Sequence, residues 1–163
     1  MRITLIRHAE AGDDAPRDES RALTARGRQD ARRMGRGLAR RGVEFTLMVT
    51  SPLVRAVQTA EIVAAVVAYR DRILVSDALV PEGPVSHVIA FLTSVARDPE
   101  AVSSIALVAH EPILSALAAE LTQRPRHPPL KKAEALRIRM AQGPESKGTL
   151  RWRVDARGRR ERL

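Results

Sequence analysis

The chain has 163 residues, of which 44% are hydrophobic but only 2% are aromatic, and it contains no cysteine. This length fits one domain, residues 1–163, with a core of aliphatic side chains, and the lack of cysteine excludes disulfides, cysteine phosphatases and cysteine–zinc sites. The formal net charge is +9, and among the 28 basic residues only Lys131, Lys132 and Lys147 are lysines.

The charge and the apolar runs also limit the partners. The scarcity of aromatic residues argues against a nucleic-acid reader that stacks bases. The arginines are spread along the chain, apart from a basic tail at Arg157–Arg162, so we interpret most of them as ordinary surface charges. The longest apolar run, Ile62–Ala68, is far below the roughly 20 residues that cross a bilayer, and no signal-peptide pattern opens the chain. We expect a cytoplasmic protein without membrane contact; nothing in the sequence indicates an oligomeric state.

Apolar runs alternate with amphipathic stretches, which is typical of helices packed around a mostly parallel sheet. The sequence predicts strands at Ile3–Ile6, Phe45–Thr50, Ile73–Val75 and Ile105–Ala109. Helices are predicted between and after them: one capped by Thr24 and closed by Gly42, one from Pro52 to Ala68, one after the turn at 81–84, and one from Pro112 to about Leu121.

The C-terminal part is predicted to extend the sheet. After a proline-rich loop at Thr122–Pro129, the segments Ala133–Met140 and Thr149–Val154 have the character of two strands. We expect them to form an antiparallel hairpin at the sheet edge. The whole chain is therefore predicted to be a three-layer α/β/α sandwich with a mostly parallel central sheet.

Three predicted strand-to-helix junctions carry phosphate-binding residue types: Arg7-His8, Ser51-Pro52 with Arg55, and His110-Glu111-Pro112. The carboxyl ends of parallel strands meet in one crevice, where helix N-termini also favour anions. A neutral imidazole can attack phosphorus, and a guanidinium matches phosphate oxygens with a rigid fork of donors. Because no carboxylate cluster for magnesium and no glycine-rich nucleotide loop accompanies them, we expect phosphoryl transfer through a histidine, without metal or cofactor.

Four motifs in order along the chain resemble the histidine phosphatase superfamily, also called phosphoglycerate-mutase-like: R-H-A-E at Arg7–Glu10, L-T-A-R-G at Leu23–Gly27, S-P-L-V-R-A-V-Q-T-A at Ser51–Ala60, and V-A-H-E-P at Val108–Pro112. The resemblance implies the phosphoglycerate mutase-like fold. It also implies that His8 is the nucleophile and that Arg7, Arg55 and His110 complete the phosphate pocket. One departure is Ala9, where the family usually has glycine.

The short distance between the Arg55 helix and the His110 strand, together with R-x-L-T at Arg21–Thr24, resembles the small SixA-type phosphohistidine phosphatases. That branch implies a phosphohistidine substrate on a phosphotransfer protein. Within the family, a phosphatase or mutase acting on a sugar phosphate, nucleotide or other small phosphate ester is the alternative. A non-enzymatic polyanion-binding module is a third hypothesis.

The proton donor to the leaving group has two candidates. Glu82, in the turn at 81–84, lies where many superfamily members have an acidic residue, with an exposed turn carboxylate as the equal alternative. Asp18 resembles an acidic position of the small branch, in a loop that also holds Asp13, Asp14 and Glu19. Arg21 is a further candidate for phosphate or partner binding, and its alternative is a surface arginine at the helix entry.

Overall fold

Seven strands and four helices make up the described part of the chain, residues 1–98 and 101–163 of a computed structural model. The strands are β1 (Arg2–Arg7), β2 (Leu47–Thr50), β3 (Leu74–Val75), β4 (Ser104–Ala109), β5 (Ala135–Arg139), β6 (Thr149–Val154) and β7 (Arg160–Arg162). The helices are α1 (Ala25–Ala39), α2 (Val54–Val66), α3 (Val85–Val95) and α4 (Ile113–Thr122). Short 3-10 turns occupy Asp18–Ser20 and Asp77–Leu79.

The strands form one sheet in the order β3-β2-β4-β1-β5-β6-β7. The β3-β2-β4-β1 half is parallel, and β5, β6 and β7 join it by antiparallel pairing. In register, Ala109 at the end of β4 pairs with Arg7, and Val108 pairs with Thr50. The carboxyl ends of β1, β2 and β4 therefore lie side by side.

Alternating side chains of the sheet enter two separate cores. Ile3 and Leu5 of β1 pack in the core that α3 and α4 cover, whereas Ile6 packs in the core that α1 and α2 cover. This alternation follows from the period of two in a strand. It confirms the three-layer α/β/α arrangement, built mostly from aliphatic side chains as the composition predicts.

The predicted helix cap at Thr24 is confirmed, because its hydroxyl accepts the backbone N–H of Gly27 at 2.9 Å. Two helices begin one or two residues later than predicted. Helix α2 begins at Val54 and α4 at Ile113, so Pro52 and Pro112 precede the helices. Proline supplies no N–H, and it fits the turn before a helix as well as its first residue. The second strand begins at Leu47 rather than at Phe45.

The C-terminal strands differ most from prediction. The hairpin of β5 and β6 forms, but it is not the sheet edge, because Arg160–Arg162 of the predicted basic tail adds β7 to β6. These three residues are all charged and exposed, so no apolar pattern signals the strand. Backbone pairing with β6 and the ion pair of Glu161 with Arg153 at 3.6 Å hold it in place. None of the helices in the described ranges is long and apolar enough to cross a membrane.

Candidate active site

His8 follows β1 directly and is 92% buried, with an exposed fraction of 8%. Its Nδ1 lies 2.6 Å from the carbonyl oxygen of Ala9, and because a carbonyl only accepts, this contact assigns the ring proton to Nδ1. Burial, with the charges of Arg55 and Arg7, lowers the pKa of His8 to about 4 against the opposing effect of the Ala9 hydrogen bond. The imidazole is therefore neutral near pH 7, with the lone pair on Nε2.

His110 follows β4 and faces His8, with ring centroids 4.9 Å apart. Its Nε2 lies 2.9 Å from the Ser51 hydroxyl, and its Nδ1 is buried without a hydrogen-bond partner among the described residues. Burial lowers the pKa of His110 to about 3, helped by repulsion from the His8 ring when it is protonated and from Arg55. Both histidines are thus uncharged in the folded protein.

Ser51 makes contacts on both sides of the junction between β2 and α2. Its hydroxyl accepts the N–H of Leu53, the residue that precedes α2, at 3.3 Å. The same hydroxyl holds the ring of His110. The sequence placed Ser51 near the site but did not indicate this contact.

The two predicted arginines reach the same place from different elements. Arg7, the last residue of β1, donates from Nη1 to the carbonyl of Leu130 at 2.6 Å, while its Nε is buried without a partner in the described part of the chain. Arg55, in the first turn of α2, is 6% exposed. It donates from Nη1 to the backbone carbonyl of Asp18 at 2.7 Å and from Nη2 to the Asp18 carboxylate at 2.9 Å.

The structure brings Asp18 into the site as a partner of arginine. Its carboxylate accepts from Arg21 at 3.0 Å as well as from Arg55. These two hydrogen bonds hold the pKa of Asp18 below its usual range, and the bond from Arg21 has the larger effect. A carboxyl group that stays ionised anchors Arg55, and it is poorly suited to donate a proton.

Arg21 fastens the loop that carries Asp18. It donates to the backbone carbonyl of Gly12 at 2.8 Å and pairs with the Asp13 carboxylate in addition to Asp18. Each of its three guanidinium nitrogens therefore makes a contact within the loop. This arrangement favours a positioning role over direct contact with phosphate.

Glu82 is exposed, in the turn between the 3-10 turn at Asp77–Leu79 and α3. No hydrogen bond or ion pair joins its side chain to another residue in the described ranges. The structure thus brings His8 against His110 and Arg55 against Asp18, and the charge of Arg55 acts on both histidines. It gives no such contact to Glu82.

Thr59 is a site residue that the sequence reasoning missed. Its hydroxyl accepts the buried N–H of Ala9 at 3.1 Å and donates to the carbonyl of Arg55 at 2.7 Å. It therefore links the backbone next to His8 to the helix that carries Arg55. The available signal was its spacing of four residues from Arg55, which places both on one face of a helix.

Glu111 is a second residue that the sequence reasoning missed, and it acts on Arg7 indirectly, through Leu130. One carboxylate oxygen accepts the N–H of Leu130 at 2.7 Å, and the other accepts the hydroxyl of Ser115 at 2.6 Å. Leu130 in turn supplies the carbonyl that holds Arg7. Glu111 consequently fixes the loop that orients Arg7.

Within the described ranges, no three His, Asp or Glu side chains converge as a metal site would require. The polar groups at the site are guanidinium, imidazole and hydroxyl groups with one anchored carboxylate. Such a set suits a tetrahedral oxyanion.

Comparison with known proteins finds histidine phosphatases among the similar sequences. The sequence profile of the histidine phosphatase superfamily (branch 1) matches residues 3–79. The phosphohistidine phosphatase SixA of Escherichia coli strain K12 is 30% identical over 154 residues, which cover 94% of this chain and 93% of that protein.

Solved structures agree with the sequence comparison. The protein histidine phosphatase SixA complexed with tungstate superposes with a TM-score of 0.88 at 29% identity, covering 96% of this chain and 97% of that one. A mycobacterial glucosyl-3-phosphoglycerate phosphatase superposes with a TM-score of 0.71 at 15% identity, covering 91% and 96%. The second likeness is one of fold alone.

Proposed function

We propose a reaction for this chain, which belongs to the histidine phosphatase superfamily and is a phosphatase of the SixA type: metal-independent hydrolysis of phosphohistidine on a phosphotransfer protein, through a phosphohistidine intermediate on His8. The observation that carries it is the state of His8. Its Nδ1 proton is held by the Ala9 carbonyl and its burial keeps the ring neutral. Nε2 is thereby left as a nucleophile.

The first step is capture of the phosphoryl group. Arg7 Nε and His110 Nδ1 are buried nitrogens without a partner among the described residues, and Arg55 has guanidinium N–H groups beyond the two that Asp18 engages. A phosphate oxyanion accepts from all three. Arginine and histidine held in place by Leu130, Asp18 and Ser51 stabilise charge on the equatorial oxygens without reorganisation.

The reaction then proceeds by two successive displacements at phosphorus. Nε2 of His8 forms a bond to phosphorus while the P–N bond to the substrate imidazole breaks, and the electron pair and a proton from solvent leave with that imidazole. Water next attacks phosphorus, the bond to His8 breaks, and inorganic phosphate is released. His8 returns to its neutral form.

The substrate class is favoured by the state of the two candidate acids. Asp18 is held ionised by Arg21 and Arg55, and Glu82 is an exposed turn residue without a contact to the site in the described ranges. An alkyl phosphate ester needs a proton donor for its alkoxide leaving group. The P–N bond of phosphohistidine is more labile and needs less acid assistance, so this site suits it. The E. coli relative that matches most of the chain bears the name phosphohistidine phosphatase.

The test is to trap the phosphoenzyme with a labelled phosphoramidate or phosphohistidine peptide and to locate the label. We expect an acid-labile, alkali-stable phosphate on His8, no label and no turnover in His8→Ala, and undiminished activity in EDTA. The exposed His87 provides the matched control, since His87→Ala should label like the wild type. Label on another residue, or turnover by His8→Ala, would overturn the mechanism.

Steady-state kinetics test the alternative that the substrate is a small phosphate ester. Comparing kcat/KM for phosphohistidine with that for several alkyl phosphates should show a clear preference for phosphohistidine. A preference for alkyl esters that disappears in Glu82→Gln would instead assign Glu82 as general acid. That result would replace the proposed substrate class and leave the role of His8 intact.

A further inference from the structure

A second strongly basic site lies at the other end of the sheet. A cavity of about 280 Å³ is lined by nine residues, and six of them are arginines: Arg2, Arg41, Arg137, Arg139, Arg151 and Arg160. These arginines come from β1, the loop after α1, β5, β6 and β7. They are scattered in sequence, and only the fold brings them together.

The sheet register explains how they converge. Arg2 pairs with Arg139 across β1 and β5, and Arg160 pairs with Val154 across β7 and β6. Arg137 opposes Trp152 while the next residue, Ile138, opposes Leu150, so that Arg151 is the additional residue of a β-bulge. A bulge re-aims a side chain, and here it allows Arg151 to line the same cavity as Trp152.

Arg137 gives the cavity a built, buried floor. It is 6% exposed, and its Nη1 donates to the Thr4 hydroxyl at 2.7 Å and the Ser104 hydroxyl at 3.1 Å. Its guanidinium carbon lies 5.5 Å from the centre of the Trp152 ring, within cation–π range. The remaining guanidinium nitrogens make no hydrogen bond with a described residue, while the group itself is held rigidly.

The positive charge of the cavity is not neutralised by the protein. Among the described residues, none of the six arginines forms an ion pair with a carboxylate, and no Asp or Glu lines the cavity. Burial, with the charge of Arg2, lowers the pKa of Arg137 to about 10. Burial and the charges of Arg160 and Arg40 lower the pKa of Arg41. The buried Arg137 is desolvated and repelled by its neighbours, so a bound anion would stabilise its charge, while four of the other arginines are exposed at the rim.

We propose that this cavity binds a compact multivalent phosphate anion, either inorganic triphosphate or the phosphate chain of a nucleotide. The volume is just below the roughly 300–1,000 Å³ usual for small-molecule pockets, which suits two or three phosphate groups. Phe45 and Trp152 are buried, with Arg137 over both rings. No open aromatic face is therefore presented to a base, and the phosphates alone carry the recognition.

The site is separate from the candidate active site. Arg2 opens β1 and pairs with Ser104 at the start of β4, whereas His8 follows the other end of β1. At about 3.3 Å per residue, the strand separates the two ends by roughly 17 Å. A ligand in the arginine cavity therefore does not occupy the place of the substrate.

Trp152 lines the cavity and is the single tryptophan of the chain, so its fluorescence reports on this site and not on His8. The experiment titrates inorganic triphosphate at constant ionic strength into the wild type and the exposed-residue variant Arg139→Gln/Arg151→Gln. The control, Arg32→Gln/Arg126→Gln, makes the same charge change at exposed arginines outside the cavity. We expect saturable one-to-one binding to the wild type and the control. Loss of two charge-assisted donors should weaken it by about tenfold or more in the cavity variant.

Further arms make the result specific. His8→Ala should bind triphosphate as the wild type does, and the cavity variant should keep wild-type phosphatase activity, which separates this proposal from the proposed function. A nucleoside triphosphate that binds as tightly as triphosphate supports recognition of the phosphate chain alone. Absence of a saturable signal, or equal weakening in cavity and control variants, would overturn the proposal. So would tighter binding of duplex DNA that both variants lose equally, since that is general surface electrostatics.

Discussion

The neutral state of His8 makes folding stability depend on pH in a way that a single replacement reveals. Burial lowers the pKa of His8 from 6.5 to about 4, so between those values the unfolded chain binds a proton that the folded protein refuses. Stability must therefore fall as the pH is lowered through this window. At pH 5 the unfolded His8 is almost fully protonated while the folded one is not. At about 1.4 kcal/mol for each pH unit below 6.5, the cost at pH 5 is about 2 kcal/mol.

Urea unfolding of the wild type and of His8→Gln at pH 5 and pH 7.5 measures this quantity. We expect the free energy of unfolding to drop by about 2 kcal/mol more in the wild type than in the variant. Burial is the largest cause of the lowered pKa of His110 and acts in both proteins, so that part of its contribution cancels in the difference, whereas the part that His8 causes is lost with His8. Equal pH dependence in wild type and His8→Gln would refute the argument that burial holds the nucleophile neutral.

Three further replacements test the frame of the site. Thr59→Val leaves the buried N–H of Ala9 without its acceptor, which should cost about 1–3 kcal/mol in unfolding free energy and lower kcat more than it raises KM; Thr59→Ser should restore both. Gly27→Ala should destabilise by about 1–3 kcal/mol despite the better helix propensity of alanine, because the added Cβ overlaps the Glu10 carbonyl oxygen; calorimetric melting measures it. Thr24→Ala should lose about 1 kcal/mol of stability in urea unfolding by removing the cap of α1, and Thr24→Ser should retain it.

The elements that carry the site were predictable because each has a simple local pattern. The central residues of β1 and β4 are buried and mostly apolar, and the polar residues that follow them are the ones that meet at the carboxyl edge of a parallel sheet. This rule predicts that His8, Arg55 and His110 share one crevice. It does not specify rotamers, so the contact of Ser51 with His110 and the use of Thr59 as a bridge required the structure.

The sequence could not predict which acidic residue contacts Arg55, for a different reason. Asp13, Asp14, Asp18 and Glu19 lie within one loop, and every one has the same chemistry. Only the path of the loop decides that Asp18 meets Arg55 while Asp13 meets Arg21. Likewise β7 has no apolar residue to signal it, and the six arginines of the cavity come from five separate segments.

The two basic sites differ in how their arginines are balanced, and this difference sets how each treats an anion. At the candidate active site, Arg55 is buried but already paired with Asp18, whose side chain is 60% exposed. A phosphate there shares a partly neutralised guanidinium. Its binding therefore depends on geometry and on the Arg7 and His110 nitrogens that have no partner among the described residues. In the arginine cavity no described carboxylate opposes the charge, so binding there depends on summed electrostatics. Added salt should therefore weaken triphosphate binding at the cavity more steeply than it weakens substrate capture at His8.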